Sequence, residues 1–140
     1  MTRLRQRRAA RARKSGRLGV EIVELAFALP VMTVIVFGTL ELCELLFTRQ
    51  SLAVAAYEAG RVAARPGANA AAVQTRFDQI VTARRLQNAQ MVMTPANLDA
   101  IATGERIRIE ASAPVGVNTS TSFVLVNAPD AVETVMFVRE

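Results

Sequence analysis

The chain has no histidine, no tryptophan and a single cysteine among its 140 residues. Without histidine the commonest general acid–base side chain is missing. One cysteine closes no disulfide within the chain, and a Cys/His zinc cluster is excluded. No glycine-rich phosphate loop follows a strand-like segment. Nothing here supports an enzyme, a metal, a cofactor or a small-molecule substrate. Aromatics are few, and residues 1–18 contain none. That removes the stacking platform a single-strand nucleic-acid binder would need in its most basic segment.

Acidic residues are missing from the start as well. Arg3, Arg5, Arg7, Arg8, Arg11, Arg13, Lys14 and Arg17 precede Gly19 with no acid among them, eight of the seventeen basic residues. From Val20 onward nine basic residues face twelve acidic ones, so a chain of net charge +5 carries a body of formal charge −3. The basic character therefore belongs to the tail. Such blocks are usually disordered and often bind nucleic acid or anionic surfaces. Beside an apolar run they instead keep one flank of a membrane segment in the cytoplasm. The lack of aromatics favours membrane orientation over nucleic acid.

Beyond the tail the chain turns apolar. Leu25 to Leu40, sixteen residues, contains no charge. As a helix it spans roughly 24 Å, against about 30 Å for a bilayer core. The segment reaches spanning length if the helix starts near Val20 and continues through Leu42, Cys43, Leu45, Leu46 and Phe47. Glu41 and Glu44 then share one face near the far interface, at headgroup depth or against a partner. Pro30 and Gly38 are weak points that a membrane helix tolerates. A secretory signal peptide is the competing reading, but no small-x-small site closely follows the run. Cys43 is expected to be buried in this helix and inert, with an intersubunit disulfide as the alternative.

Glu24 stands at the foot of the run. A carboxylate there is costly to immerse and calls for a partner or a function. If the chain were cut after Gly19, Glu24 could neutralise an α-amino group at Val20, its own or a neighbour's. Alternatively, Glu21 and Glu24 simply favour the positive end of the helix dipole. Spacing alone leaves both open.

The residues from Arg17 to Pro30, with Gly19, Val20, Glu21, Glu24, Phe27 and Pro30 among them, resemble the start of TadE-like proteins. These are minor pseudopilins of tight-adherence (Flp-type) pilus systems. The stretch Ala55–Ala64, carrying Tyr57, Glu58, Gly60 and Arg61, is similar to the helix that follows their membrane segment. The close, Glu133 to Glu140, is similar to a common C-terminal strand of the family. Leu25 departs from the pattern, where an aromatic is frequent. The resemblance implies cleavage by a prepilin peptidase between Gly19 and Val20. Glu24, the fifth mature residue, would then pair with a neighbouring subunit's N-terminus. Implied partners are the peptidase, other pilins or pseudopilins, the inner-membrane assembly platform and membrane lipid. The implied place is the bacterial inner membrane, with the N-terminus cytoplasmic, the C-terminal domain periplasmic, and incorporation into an extracellular pilus as one outcome. An unprocessed single-span protein that scaffolds a secretion or adhesion complex is the alternative.

The rest reads as α+β. With the cleavage that the resemblance implies, residues 1–19 are expected to be a basic cytoplasmic leader, 20–47 the membrane helix and 48–140 an extracytoplasmic domain. The first helix continues to about Ala64, and Leu52, Ala56, Gly60 and Ala64 form an i+4 ladder of mostly small residues suited to close helix approach. Arg65-Pro66-Gly67 ends it. A second helix is expected from about Ala70 to Asn88, with Val73, Phe77, Ile80 and Val81 as its apolar stripe. Arg84-Arg85 reads as a solvated pair. Strands are expected at Gln90–Thr94, Glu105–Ser112, Phe123–Val126 and Val132–Val138. Of these, Glu105–Ser112 alternates most cleanly. Three or four antiparallel strands against one or two helices is the natural packing, with sheet edges open to partner strands. Asn118-Thr119-Ser120 matches a glycosylation sequon, a pattern too short to inform.

Overall fold

The computed structural model describes the backbone of residues 2–98, 101–120 and 128–140, with side chains from Gly19 onward. The element order is α1 (Thr2–Ala63), α2 (Ala70–Ala83), β1 (Gln90–Thr94), β2 (Arg106–Ala113) and β3 (Ala131–Val138). The chain divides into two compact units, residues 1–39 and 40–140, and α1 contributes to both. The expected strand at Phe123–Val126 lies outside the described residues.

In the first unit α1 already begins at Thr2 rather than near Val20. Residues 2–18 are rich in arginine and alanine, both strong helix formers. From Gly19 to Phe37 every side chain is exposed, although most are large and apolar. A helix that is apolar on all sides is stable only when something else buries it. The helix from Gly19 is long and apolar enough to cross a membrane. Its hydroxyls are compatible with that role. Thr33 Oγ1 donates to the Leu29 carbonyl at 2.8 Å and Thr39 Oγ1 to that of Ile35 at 2.7 Å. Both donors are thereby satisfied within the helix, as an apolar medium requires.

The second unit is α+β. Strands pair antiparallel in the order β1-β2-β3, with Met91 opposite Ala111 and Ile109 opposite Val135. The alternation of β2 holds as expected: Ile107, Ile109 and Ala111 are fully buried, whereas Arg106 and Arg108 face solvent. Leu52, Ala55, Ala56, Ala59 and Ala63 of α1, Val73 and Phe77 of α2, and the inner face of β2 form one apolar core. The α1 contribution is mostly alanine. Small side chains let other elements approach the helix axis closely.

α2 ends at Ala83, five residues short of the expected Asn88. Arg85 takes the left-handed conformation at φ 55°. The Arg85 N–H donates to the Thr82 carbonyl at 3.1 Å, and the Leu86 N–H to that of Val81 at 3.0 Å. This is a Schellman closure, and the buried Leu86 supplies its apolar contact. Glycine usually fills that turn position, so an arginine there gives little warning in sequence. At the other end Asn69 caps the helix, its Oδ1 accepting from the Ala72 N–H at 2.7 Å. Ile80 and Val81 are half-buried, and Arg84 and Arg85 are exposed.

Candidate functional site

Two regions hold the residues that stand out in the sequence. The first is the junction at Gly19, Val20 and Glu24, all exposed on α1. A β-carbon at Gly19 would meet nothing within 4 Å. The backbone there is helical, where glycine costs roughly 0.5–1 kcal/mol relative to alanine. Neither packing nor turn geometry in this molecule therefore calls for glycine at 19.

Gly60 is the opposite case. A β-carbon at Gly60 would overlap the Phe137 ring of β3. Ala56, Gly60 and Ala64 are buried, and the element closing on Gly60 is a strand carrying an aromatic ring rather than a helix. The surrounding motif falls into place around that contact. Tyr57 lies against Phe137 with ring centroids 5.4 Å apart and planes tilted by 55°. Glu58 points to the other side and accepts from Arg76 Nη2 of α2 at 2.8 Å and from Arg61 Nη2 at 3.0 Å. One helical turn thus ties α1 to both β3 and α2.

The hydrogen bond from Arg76 is the main cause that lowers the Glu58 pKa below the ordinary glutamate range. Partial burial opposes it, and the charge of Arg61 adds to it. Because the folded-state value lies below the unfolded one, the contribution is present above the ordinary range. It is lost as pH falls through the folded value. Glu58→Gln is therefore expected to cost stability at neutral pH and to match the parent chain in strong acid. Urea titrations of both chains between neutral and acidic pH check this; a gap that persists in acid would contradict the ion pair as its source.

Sequence reasoning assigns Arg139 no role. It is buried at 8% exposure, and its guanidinium donates to the Ala63 carbonyl at the end of α1. The Glu140 N–H donates to the Ala64 carbonyl at 2.9 Å. The C-terminus thus satisfies carbonyls that a helix end leaves orphaned, and it places a cation at the negative end of the helix dipole. The signal was the terminal Arg-Glu itself, but nothing in the sequence names α1 as its target.

Near the start of the second unit the acids behave differently from expectation. Glu41 is fully buried, and Glu44 Oε2 accepts the Ser120 N–H at 2.9 Å. Thr48 and Ser51 are also fully buried on the same face of α1. Thr48 Oγ1 donates to the Glu44 carbonyl at 3.0 Å, whereas Ser51 Oγ has no hydrogen-bond partner among the described residues. Asn118 holds the same loop by donating to the carbonyls of Gln87 and Pro114 at 2.9 and 2.8 Å. Cys43 is exposed on this chain, on the face of α1 opposite Glu41 and Thr48.

Among the described residues no His, Cys, Asp or Glu cluster could hold a metal ion. The first unit is an exposed apolar helix carrying Gly19 and Glu24, and the second is a small α+β unit.

Residues 19–61 match the family model of TadE-like proteins. The TadE-like region begins at Gly19 and ends at Arg61, so it takes in both the junction and the Tyr57–Arg61 turn and leaves out the basic tail. No curated protein and no solved structure matches the chain.

Proposed function

We propose that this chain is a minor pseudopilin. It is a membrane-anchored structural component, not a catalyst, needed to assemble a Tad/Flp-type pilus. A prepilin peptidase cuts between Gly19 and Val20. The observation that carries this reading is the unexplained glycine. Gly19 fills no tight space and weakens its own helix, so its requirement is best placed outside the chain, in the enzyme that reads the junction.

The remaining features fit the same event. The TadE-like region begins at the residue that would be cut. Removing the tail would take the formal charge from +5 to −3. The membrane span then runs from about Val20 to Thr39, ending where the second unit begins. In that position the tail is cytoplasmic and the second unit periplasmic, by the bias of basic flanks toward the cytoplasm. Glu24 would meet the freed α-amino group of Val20 on a neighbouring subunit. A charge that is costly in lipid is offset there by its counter-charge. Other pilins or pseudopilins and the assembly platform are the partners.

Expression with and without a prepilin peptidase tests the cut. With the peptidase, the mature N-terminus should be Val20. An intact Met1 in both cases, with no effect of Gly19→Ala, would sink the proposal. Glu24→Ala should be cut, fold normally and lose at least tenfold in recovery with the pilus fraction. Unimpaired recovery would count against the amine pairing.

A further inference from the structure

The two edges of the sheet are built differently. β1 is five residues long and runs directly into Pro95, whose ring carries no N–H. A short edge closed by proline discourages pairing with another strand. β3 is eight residues long and holds neither proline nor glycine.

The direction of the free backbone groups of β3 follows from its register. The Arg139 N–H donates to the Glu105 carbonyl at 2.8 Å, and the pairing with β2 continues unbroken from Val138 opposite Arg106 to Ala131 opposite Ala113. Bonded residues alternate along an antiparallel ladder. Val135 and Phe137 therefore bond to β2 as Arg139 does, and the N–H and C=O groups of Val132, Thr134, Met136 and Val138 point to the open edge. Among the described residues no hydrogen bond reaches these groups. The side chains of the same four residues stand on the outer face of the sheet. Val132, Met136 and Val138 are exposed at 49, 66 and 55%, and none of the four is charged. Opposite them on that face lies a polar β2 row, Ser112, Glu110, Arg108 and Arg106. The edge strand thus holds an apolar row that a strand added beside it would cover.

We infer that β3 is the contact of a two-fold dimer, in which β3 of a second copy pairs antiparallel with it and joins the two sheets. Three features favour a copy over an unrelated strand. Pairing centred on Val135 sets Thr134 opposite Met136 and Val132 opposite Val138, so the free backbone row of each copy is used from end to end. The same register places uncharged side chains against uncharged ones on the outer face, and on the inner face Glu133 meets Phe137 and not another acid. The blunt β1 edge then ends the enlarged sheet on both sides, so the contact closes at two copies, as an isologous interface does. The pairing depends neither on cleavage at Gly19 nor on the placement of the first unit.

The full chain in detergent, in a Cys43→Ser background, tests the register. Val135→Cys lies on the two-fold axis and should form a disulfide-linked homodimer on mild oxidation. Co-expressed Thr134→Cys and Met136→Cys chains, joined by a short thiol-reactive cross-linker, should give at least tenfold more dimer than Val92→Cys of β1, which is exposed to a similar extent. Thr134→Pro removes a free-edge N–H and leaves the ladder to β2 intact, so it should cut the Val135→Cys adduct at least tenfold with an unchanged circular dichroism spectrum. Met136→Lys sets a charge on the edge and should do the same; it decides the matter if the proline variant does not fold. Absence of the Val135→Cys adduct, cross-linking at Val92 equal to that along β3, adducts that survive in the folded variants, or adducts only with a protein of different mass would each overturn the inference. The uncut Gly19→Ala form should give the same pattern. Failure of processing with that pattern intact would count against the proposed function alone.

Discussion

Phe77→Ala is expected to remove roughly 3–5 kcal/mol of stability from the second unit. The ring is 1% exposed and sits in the core with Val73 of the same helix, Ala55, Ala56 and Ala59 of α1, and Ile107 and Ile109 of β2. Truncation loses the transfer energy of the ring and leaves a cavity lined largely by alanine and β-branched side chains. These are too short or too stiff to collapse into it. The loss is a large fraction of the roughly 5–15 kcal/mol that holds a domain together. Phe77→Leu keeps most of the volume and should cost less than half as much. Urea denaturation of the purified chain in detergent measures both. Equal costs for alanine and leucine would contradict cavity formation as the cause.

Gly60→Val is expected to destabilise the same unit by about 2–4 kcal/mol through overpacking. Two effects compete at this position. Any replacement of a helical glycine gains up to about 1 kcal/mol of helix propensity. Against that, a β-carbon overlaps the Phe137 ring, and the ring is not free to withdraw without leaving Tyr57. For valine the steric cost outweighs the propensity gain, because its branching occupies more of the ring's space. The test is a double-mutant cycle. In a Phe137→Ala background the same Gly60→Val change should cost at least 1 kcal/mol less, because the obstructing ring is gone. An additive pair would remove the ring from the explanation.

The contrast between these glycines shows where sequence reasoning runs out. Gly19 and Gly60 both sit in helical sequence, and both stand out on pattern. Nothing local distinguishes Gly19, around which the space is open, from Gly60, which is kept for a ring about 75 residues away in the chain. Only the pairing of β3 with β2 carries Phe137 to α1. The same holds for Arg139, whose partner, the Ala63 carbonyl, lies 76 positions earlier. The end of α2 is hidden for a different reason. Its turn is closed by an arginine in a left-handed conformation, where the usual signal is glycine.

Glu41 and Glu44 make the point most directly. Their spacing places them on one helix face, and the structure agrees. Whether that face meets headgroups, a partner or the chain's own body depends on the far side of the fold, where Ser120 supplies an N–H.

Local features of the chain were enough for the elements themselves. Charge asymmetry, the uncharged run, the alternation of Arg106–Ala113 and the Pro66-Gly67 stop are short-range patterns. They bias backbone conformation and burial within a few residues, so they can be read along the chain. They determined an apolar helix long enough to cross a membrane, followed by a small α+β unit. Tertiary structure decided which faces those elements turn to one another. That choice sends the polar stripe of α1 inward and its apolar stripe outward, leaves Cys43 exposed and closes Phe137 over Gly60. It rests on contacts between residues far apart in sequence, whose energies no local pattern contains.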